Sequence, residues 1–215
     1  MNIRDIVGLA RVIPELNLTD ISHALPVARA LSAGGLRVVA ISLRSAAAIA
    51  GIEAIRKGVP DLIVGAGSLT RAVDFAAADR AGAQFGVTPG LTPELAAACR
   101  GARFAVLPGV MTPSEVVSAR NSSFAVLQLY PAQAAGGVSA LAAFGALFPD
   151  VVFCASGGVT NANAADYLAL KNVASVAGSW MVPPALLESG NWAGIAELAR
   201  DAAALGRESV NEGQQ

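Results

Sequence analysis

Phe124-Ala-Val-Leu-Gln-Leu-Tyr-Pro-Ala-Gln-Ala-Ala-Gly-Gly137 is the stretch whose reading decides the fold. Its side chains alternate as far as Tyr130-Pro131, and a Gly-Gly pair follows where a helix should begin. That is the pattern of a parallel-sheet strand delivering residues to a pocket at its C-terminal end. Val126, Gln128 and Tyr130 share one face, while Ala125, Leu127 and Leu129 share the other. Gln128 is thus the one polar side chain among apolar neighbours on the inner face.

Working outward, strand and helix signals alternate along the chain. Residues 1–10 read as a leading helix and Val12–Leu18 as a first strand. Asp20 then caps a helix with Ile21, Leu25, Ala28 and Leu31 on one face, ended by Gly34-Gly35. Further strands are expected at Leu36–Leu43, Leu62–Gly65, Gln84–Val87, Phe104–Leu107, the opening stretch, Val151–Cys154 and Val173–Ala177. Ser45, Thr112 (with Pro113 at the first helical position) and Asn161 are the expected caps of three intervening helices. A closing helix over 191–205 precedes a polar tail at 207–215. These eight strand–helix units predict an α/β fold, a (β/α)8 TIM barrel in one domain over 11–206. An open doubly wound sheet is the main alternative.

Composition agrees. In 215 residues, 54% are hydrophobic and only 14% charged, so most elements must be covered on both faces, as in layered or barrel α/β folds. No apolar run is long enough to cross a bilayer, and the first residues lack the pattern of a secretory leader. A cytoplasmic protein is expected. The formal net charge of −1 and the lack of a basic cluster argue against nucleic acid or an anionic membrane as partner. Cys99 and Cys154 are too few for a metal knuckle and read as reduced core cysteines. Low charge with high apolar content suggests surface buried between subunits.

In a barrel, the turns after the strands build the site. Here they are Gly65-Ala-Gly-Ser68, Thr88-Pro-Gly90, Pro108-Gly109, Pro131-Ala132, Ser156-Gly-Gly158 and Gly178-Ser-Trp180. Gly157, Gly158, Gly178 and Ser179 fit a phosphate site made by the last two of these turns.

Ala33-Gly-Gly-Leu-Arg-Val38, Leu43-Arg44, Ile63-Val-Gly-Ala-Gly-Ser68, Thr88-Pro-Gly-Leu-Thr92, Leu107-Pro-Gly109, Pro131-Ala132, Phe153-Cys154, Ser156-Gly-Gly158, Tyr167-Leu-Ala-Leu-Lys171 and Gly178-Ser-Trp-Met-Val-Pro183 carry a further signal. From about Ile13 to Leu205, the chain resembles the 2-keto-3-deoxy-6-phosphogluconate (KDPG) aldolases. The resemblance implies a (β/α)8 barrel assembled as a homotrimer and acting, without a cofactor, on a keto acid or sugar phosphate. Members cleave KDPG to pyruvate and glyceraldehyde 3-phosphate, and some handle 4-hydroxy-2-oxoglutarate. It also implies substrate contacts at Arg44, Ser68, Pro89, Pro131 and Ser156, and phosphate contacts at Gly157, Gly158, Gly178 and Ser179.

The catalytic pair departs from that pattern. The family needs a lysine to form a Schiff base and a glutamate to shuttle its protons; at those positions this chain has Gln128 and Ala40. Gln133 stands where the family has a glutamate after Pro-Ala. An amide cannot form an imine and a methyl cannot carry a proton. Lys57 and Lys171, the only lysines, stand at helix ends on the opposite face of the barrel. His23 is the only histidine, and no metal cluster can be assembled around it; as a residue of the helix after the first strand, it reads as core or surface. Glu15, inside the first strand and in phase with Asn17, is a candidate relocated acid/base, with Arg44 or the Gln128 amide as its partner. The expected protein is therefore a family member unable to do Schiff-base lyase chemistry. Its alternatives are a keto-acid or sugar-phosphate enzyme using Glu15, and a non-catalytic ligand-binding or engineered trimeric scaffold.

Overall fold

The computed structural model describes residues 1–211, with side chains to Leu205. The strands are β1 (Val12–Leu16), β2 (Val38–Ser42), β3 (Ile63–Gly67), β4 (Phe85–Val87), β5 (Ala105–Leu107), β6 (Gly109–Val110), β7 (Val126–Leu129), β8 (Val152–Ser156) and β9 (Val173–Gly178). They lie in the order β5-β4-β3-β2-β1-β9-β8-β7-β6, and every pair is parallel. Pro108 has no N–H to give to a ladder, so it splits one barrel strand into β5 and β6. β5 pairs with β4 and β6 with β7, and the covalent chain through Pro108 closes the ring. Eight expected strands thus become nine segments of a (β/α)8 barrel. Gly109 sits at the break with its N–H on Thr88 Oγ1 at 3.1 Å; a Cβ there would lie 2.4 Å from the Pro89 backbone. Only glycine allows that approach.

The helices are α1 (Ile3–Leu9), α2 (Ala24–Ala33), α3 (Ala48–Gly58), α4 (Ala72–Arg80), α5 (Pro93–Gly101), α6 (Pro113–Asn121), α7 (Gly137–Leu147), α8 (Ala164–Leu168), α9 (Pro184–Glu188) and α10 (Trp192–Asn211). Asn2 and Asp5 form a capping box on α1, and Thr112, Pro113 and Glu115 make the expected start of α6.

Four local expectations are corrected. Asp20 caps a 3-10 turn, Ile21–His23, and not an α-helix. As a result α2 buries Ala24, Val27, Ala28, Ala30 and Leu31, and Ile21 is exposed. Ser45 gives its hydroxyl to the Leu18 carbonyl and leaves α3 without a side-chain cap. Asn163, not Asn161, accepts the N–H of Thr160 before α8. The closing helix continues to Asn211, through the first part of the expected tail; residues 212–215 lie outside those described.

Strand alternation splits the core in two. Inward-facing Ile13, Val38, Ala40, Phe85, Val87, Leu107, Val126, Cys154 and Ala177 cluster with Ile6, Val7 and Ala10 of the α1 segment. The leading helix therefore stops the barrel's N-terminal end, and the open end is the C-terminal one. Outward-facing residues such as Val39, Ile41, Leu127 and Leu129 join the helix faces in a larger cluster. No helix among the described residues is long and apolar enough to cross a membrane.

Candidate functional site

At the open end of the barrel is a cavity of about 330 Å³ whose lining includes Glu15, Asn17, Ala40, Ser42, Arg44, Ser68, Pro89, Gln128, Tyr130 and Ser179. The inward set of β7 puts Gln128 there, nearly fully buried. Its backbone N–H is held by Pro108 O at 2.7 Å, and it pairs with Gly109 on one side and Cys154 on the other. Its side-chain amide makes no hydrogen bond with the described residues, so its N–H groups and carbonyl are left for whatever enters the cavity.

Glu15 follows Ile13 on the inner face of β1 and is the register partner of Ala40 on β2. The strand adjacent to Ala40 thus supplies a carboxylate at the same level. Ser156, fully buried at the end of β8, donates its hydroxyl to Glu15 Oε2 at 3.0 Å. The expected partners of Glu15 were Arg44 or the Gln128 amide. The hydrogen-bond partner in the structure is Ser156. Burial pushes the Glu15 carboxyl above its ordinary value of 4.5, and the Ser156 bond and the positive charge of Arg44 only partly offset this.

Arg44 is held by its Nε, which donates to Ser42 Oγ at 2.9 Å; Ser42 Oγ in turn lies 2.8 Å from Ser68 Oγ. Ser68 has a left-handed backbone, φ 58°, which turns the chain sharply after β3 and brings its hydroxyl to Ser42. The outer fork of the guanidinium is left to face a ligand, a geometry suited to a carboxylate.

Pro131, Gly157, Gly158 and Gly178 are not among the cavity-lining residues; of the phosphate candidates, Ser179 alone is. Gly157 and Gly158 both have positive φ, 88° and 81°, and a Cβ on Gly158 would meet Gln133 Cβ at 2.5 Å. Gln133 itself accepts the Tyr167 hydroxyl at 3.0 Å, which ties α8 to the turn after β7. Lys57 is spent on Glu53 at 2.6 Å on α3, and neither it nor Lys171 lines the cavity. The Cys154 thiol, fully buried below Glu15, is pushed up to about 12 by burial and is not a nucleophile at neutral pH.

Some lining residues were not foreseen. Ser42 was available from alternation, two places after Ala40 on the same strand. His23 was expected as an ordinary core or surface residue and lines the cavity; the 3-10 turn that swings it there had no clear sequence signal. Val182, Leu187 and Glu188 also line it, and the short helix α9 that carries two of them was not expected at all.

With this geometry in view, residues 3–198 match the family described as "KDPG and KHG aldolase". The chain belongs to that family. It is 41% identical over 201 residues to the 2-dehydro-3-deoxy-phosphogluconate aldolase of Pseudoalteromonas atlantica, covering 94% of each chain. To the KHG/KDPG aldolase of Escherichia coli K12 it is 42% identical over 191 residues, 89% of this chain and 90% of the relative. Among solved structures, the KDPG aldolase of Legionella pneumophila, captured with pyruvate as a covalent carbinolamine, superposes with a TM-score of 0.90 at 36% identity, covering 92% of this chain and 96% of that one. The Zymomonas mobilis enzyme gives 0.91 at 37% identity, with 97% and 100% covered. The aldolase family and its barrel, expected from the sequence strings, are thus established.

The Glu15 geometry has a measurable consequence for stability. A carboxyl whose pKa is raised in the folded state favours its protonated form, so its contribution is largest below the ordinary value of 4.5 and is lost as pH rises through the raised value. Glu15→Gln is therefore expected to be more stable than the parent at neutral pH. The gap should close as pH falls toward 4.5, by about 1.4 kcal/mol for each unit by which the pKa is raised. Urea unfolding at several pH values checks this; a pH-independent difference would show that Glu15 is ionised freely.

Proposed function

We propose that this family member binds a 2-oxo acid and moves its protons through Glu15, without forming an imine. The observation that carries the reading is the carboxylate of Glu15, in the cavity at the level of Ala40 and in a pocket that also holds Gln128. Arg44 receives the substrate carboxylate. The Gln128 amide N–H and the Ser68 hydroxyl are donors for the keto oxygen. Ionised Glu15 takes a proton from the carbon next to the carbonyl, and the electron pair moves to the keto oxygen as an enolate that those donors stabilise. Return of the proton closes the cycle. Burial favours the protonated form of the Glu15 carboxyl, which suits it to return the proton as well as to take it.

The test is exchange of the pyruvate methyl protons in deuterated water, followed by NMR. Catalysed exchange is expected; binding without exchange would identify the non-catalytic ligand-binding alternative. A companion experiment addresses the imine. Because Gln128 stands at the Schiff-base position and neither lysine lines the cavity, borohydride with pyruvate should leave the protein mass unchanged. A pyruvyl adduct on Lys57 or Lys171 would overturn the reading.

Phosphate binding at Gly157, Gly158, Gly178 and Ser179 is a separate part of the proposal. It is supported by the paired left-handed glycines and by Ser179 at the cavity edge. Crystals soaked in inorganic phosphate should show density on that turn; a clear map without it at millimolar phosphate would remove this element. The homotrimer that the family implies is supported by exposed Val73, Met111, Val117 and Leu147 and is checked by light scattering.

A further inference from the structure

The strands supply the cavity with a single proton carrier. Of their side chains only Glu15 and Cys154 titrate, and burial pushes the Cys154 thiol up to about 12. Glu15 is held through its Oε2 by the Ser156 hydroxyl, and its Oε1 has no partner among the described residues. Asn17 stands two places further along the chain, directly after β1, and it too lines the cavity. An extended chain brings residues two apart to the same face. Its rise puts Asn17 about 7 Å beyond Glu15 toward the open end of the barrel. The Asn17 side chain is exposed and makes no hydrogen bond with the described residues, so its amide can both accept from and donate to a ligand hydroxyl. Formation of an enolate uses Glu15 and leaves this amide without a task.

We propose that this site also dehydrates 4-hydroxy-2-oxo acids, with Glu15 moving the proton from carbon three to the departing hydroxyl and Asn17 orienting that hydroxyl. The inference rests on the proton-transfer reading above, which puts the acid group at Arg44 and carbon three at Glu15. The carbon chain then continues toward the open end, and the hydroxyl on carbon four comes between Glu15 and Asn17. Ionised Glu15 breaks the C3–H bond, and the electron pair forms the enolate with its charge on the keto oxygen. As the carbonyl is restored, the C3–C4 double bond forms and the C4–O bond breaks with its electron pair on oxygen. Glu15 gives its proton to that oxygen, water leaves, and the carboxylate is back in its starting form. One group serves both transfers because the proton and the departing oxygen sit on adjacent carbons. The product is a 2-oxo-3-enoic acid, and no oxidant, reductant or further reactant is consumed. Cleavage of the C3–C4 bond would instead need the base on the proton of the C4 hydroxyl.

The experiment uses the whole protein and 4-hydroxy-2-oxopentanoate, which carries no phosphate and so does not involve that part of the site. Formation of 2-oxopent-3-enoate is followed by its ultraviolet absorbance and by mass spectrometry, with exchange of the pyruvate methyl protons measured beside it. The enoate is expected to form, and the same mixture should be reached when the reaction starts from the enoate. Glu15→Gln should slow it roughly 100- to 10,000-fold. Asn17→Leu should slow it severalfold, the worth of one lost hydrogen bond, and should slow pyruvate exchange less, because pyruvate has no hydroxyl. Exchange at carbon three without enoate, pyruvate released in place of enoate, or enoate formed as fast by Glu15→Gln overturns the dehydration. The proton-transfer reading still stands in those cases if pyruvate exchanges through Glu15. Equal slowing of both reactions by Asn17→Leu overturns the role of Asn17. Enoate formed through Glu15 without pyruvate exchange keeps the dehydration and removes pyruvate as a substrate. If neither acid exchanges and no enoate forms, both fail.

Discussion

Gln128→Lys is expected to be trapped covalently with pyruvate by borohydride, where the parent protein gives no adduct. The residue lies on the inner face of β7, and its backbone is held by Pro108 and flanked by Gly109 and Cys154. A lysine there would be buried, which lowers its pKa and leaves part of it as the neutral amine that attacks a carbonyl. Arg44, Ser42 and Ser68 already form a hydrogen-bonded set at the mouth that can orient the keto acid. Carbinolamine formation and collapse need a proton shuttle, and Glu15 is placed to supply it from β1. In this background Glu15→Gln should slow imine formation roughly 100- to 10,000-fold, and adding Ala40→Glu should restore the rate. Glu15 and Ala40 are register partners, so the acid would then stand one strand over at the same level. Keeping Glu15 while adding Ala40→Glu puts two carboxylates side by side. One would stay protonated because both cannot ionise at close range, and that protein should turn KDPG over more slowly than the one with a single carboxylate. Mass spectrometry after borohydride, and pyruvate release from KDPG, read the two steps. A folded Gln128→Lys protein that binds pyruvate without forming an adduct would mean that the cavity no longer presents a carbonyl to that position.

Glu15→Gln in the otherwise native chain should abolish proton exchange on a bound 2-oxo acid, with a loss of roughly 100- to 10,000-fold. The amide keeps the size of the side chain and can still meet Ser156, so binding should change far less than the exchange rate. The pH profile separates this from a structural role. Exchange by the parent needs the ionised carboxylate as base, so its rate should climb with pH through the raised Glu15 value and not near the ordinary 4.5. The residual rate of the variant should show no such rise. The same substitution is expected to stabilise the fold at neutral pH, so activity and stability should move in opposite directions. Loss of both together would mean that the variant is simply misfolded.

How much of this was legible in the chain depends on the kind of signal. The barrel was readable because its strands alternate in and out. Val126 and Gln128 against Leu127 and Leu129, or Ala40 against Val39 and Ile41, are local patterns that a period of two reveals. The placement of Gln128 on the inner face was readable as well, because it follows from the same alternation, and the chain's having only two lysines is a matter of residue identity. Caps survived where they were purely local, as at Thr112 and Pro113, and failed where a side chain found a distant partner, as Ser45 did with the Leu18 carbonyl.

The tertiary structure decided what depends on neighbours far apart in sequence. That Glu15 lies level with Ala40 follows from the β1–β2 register. That Ser156 is its partner follows from the ring closing β8 and β9 back onto β1 across 141 residues. Burial then pushes its pKa up, an effect set by surroundings that no strand carries within itself. The presence of His23 and Leu187 in the lining of one cavity is of the same kind, because no local period links residues so far apart in sequence.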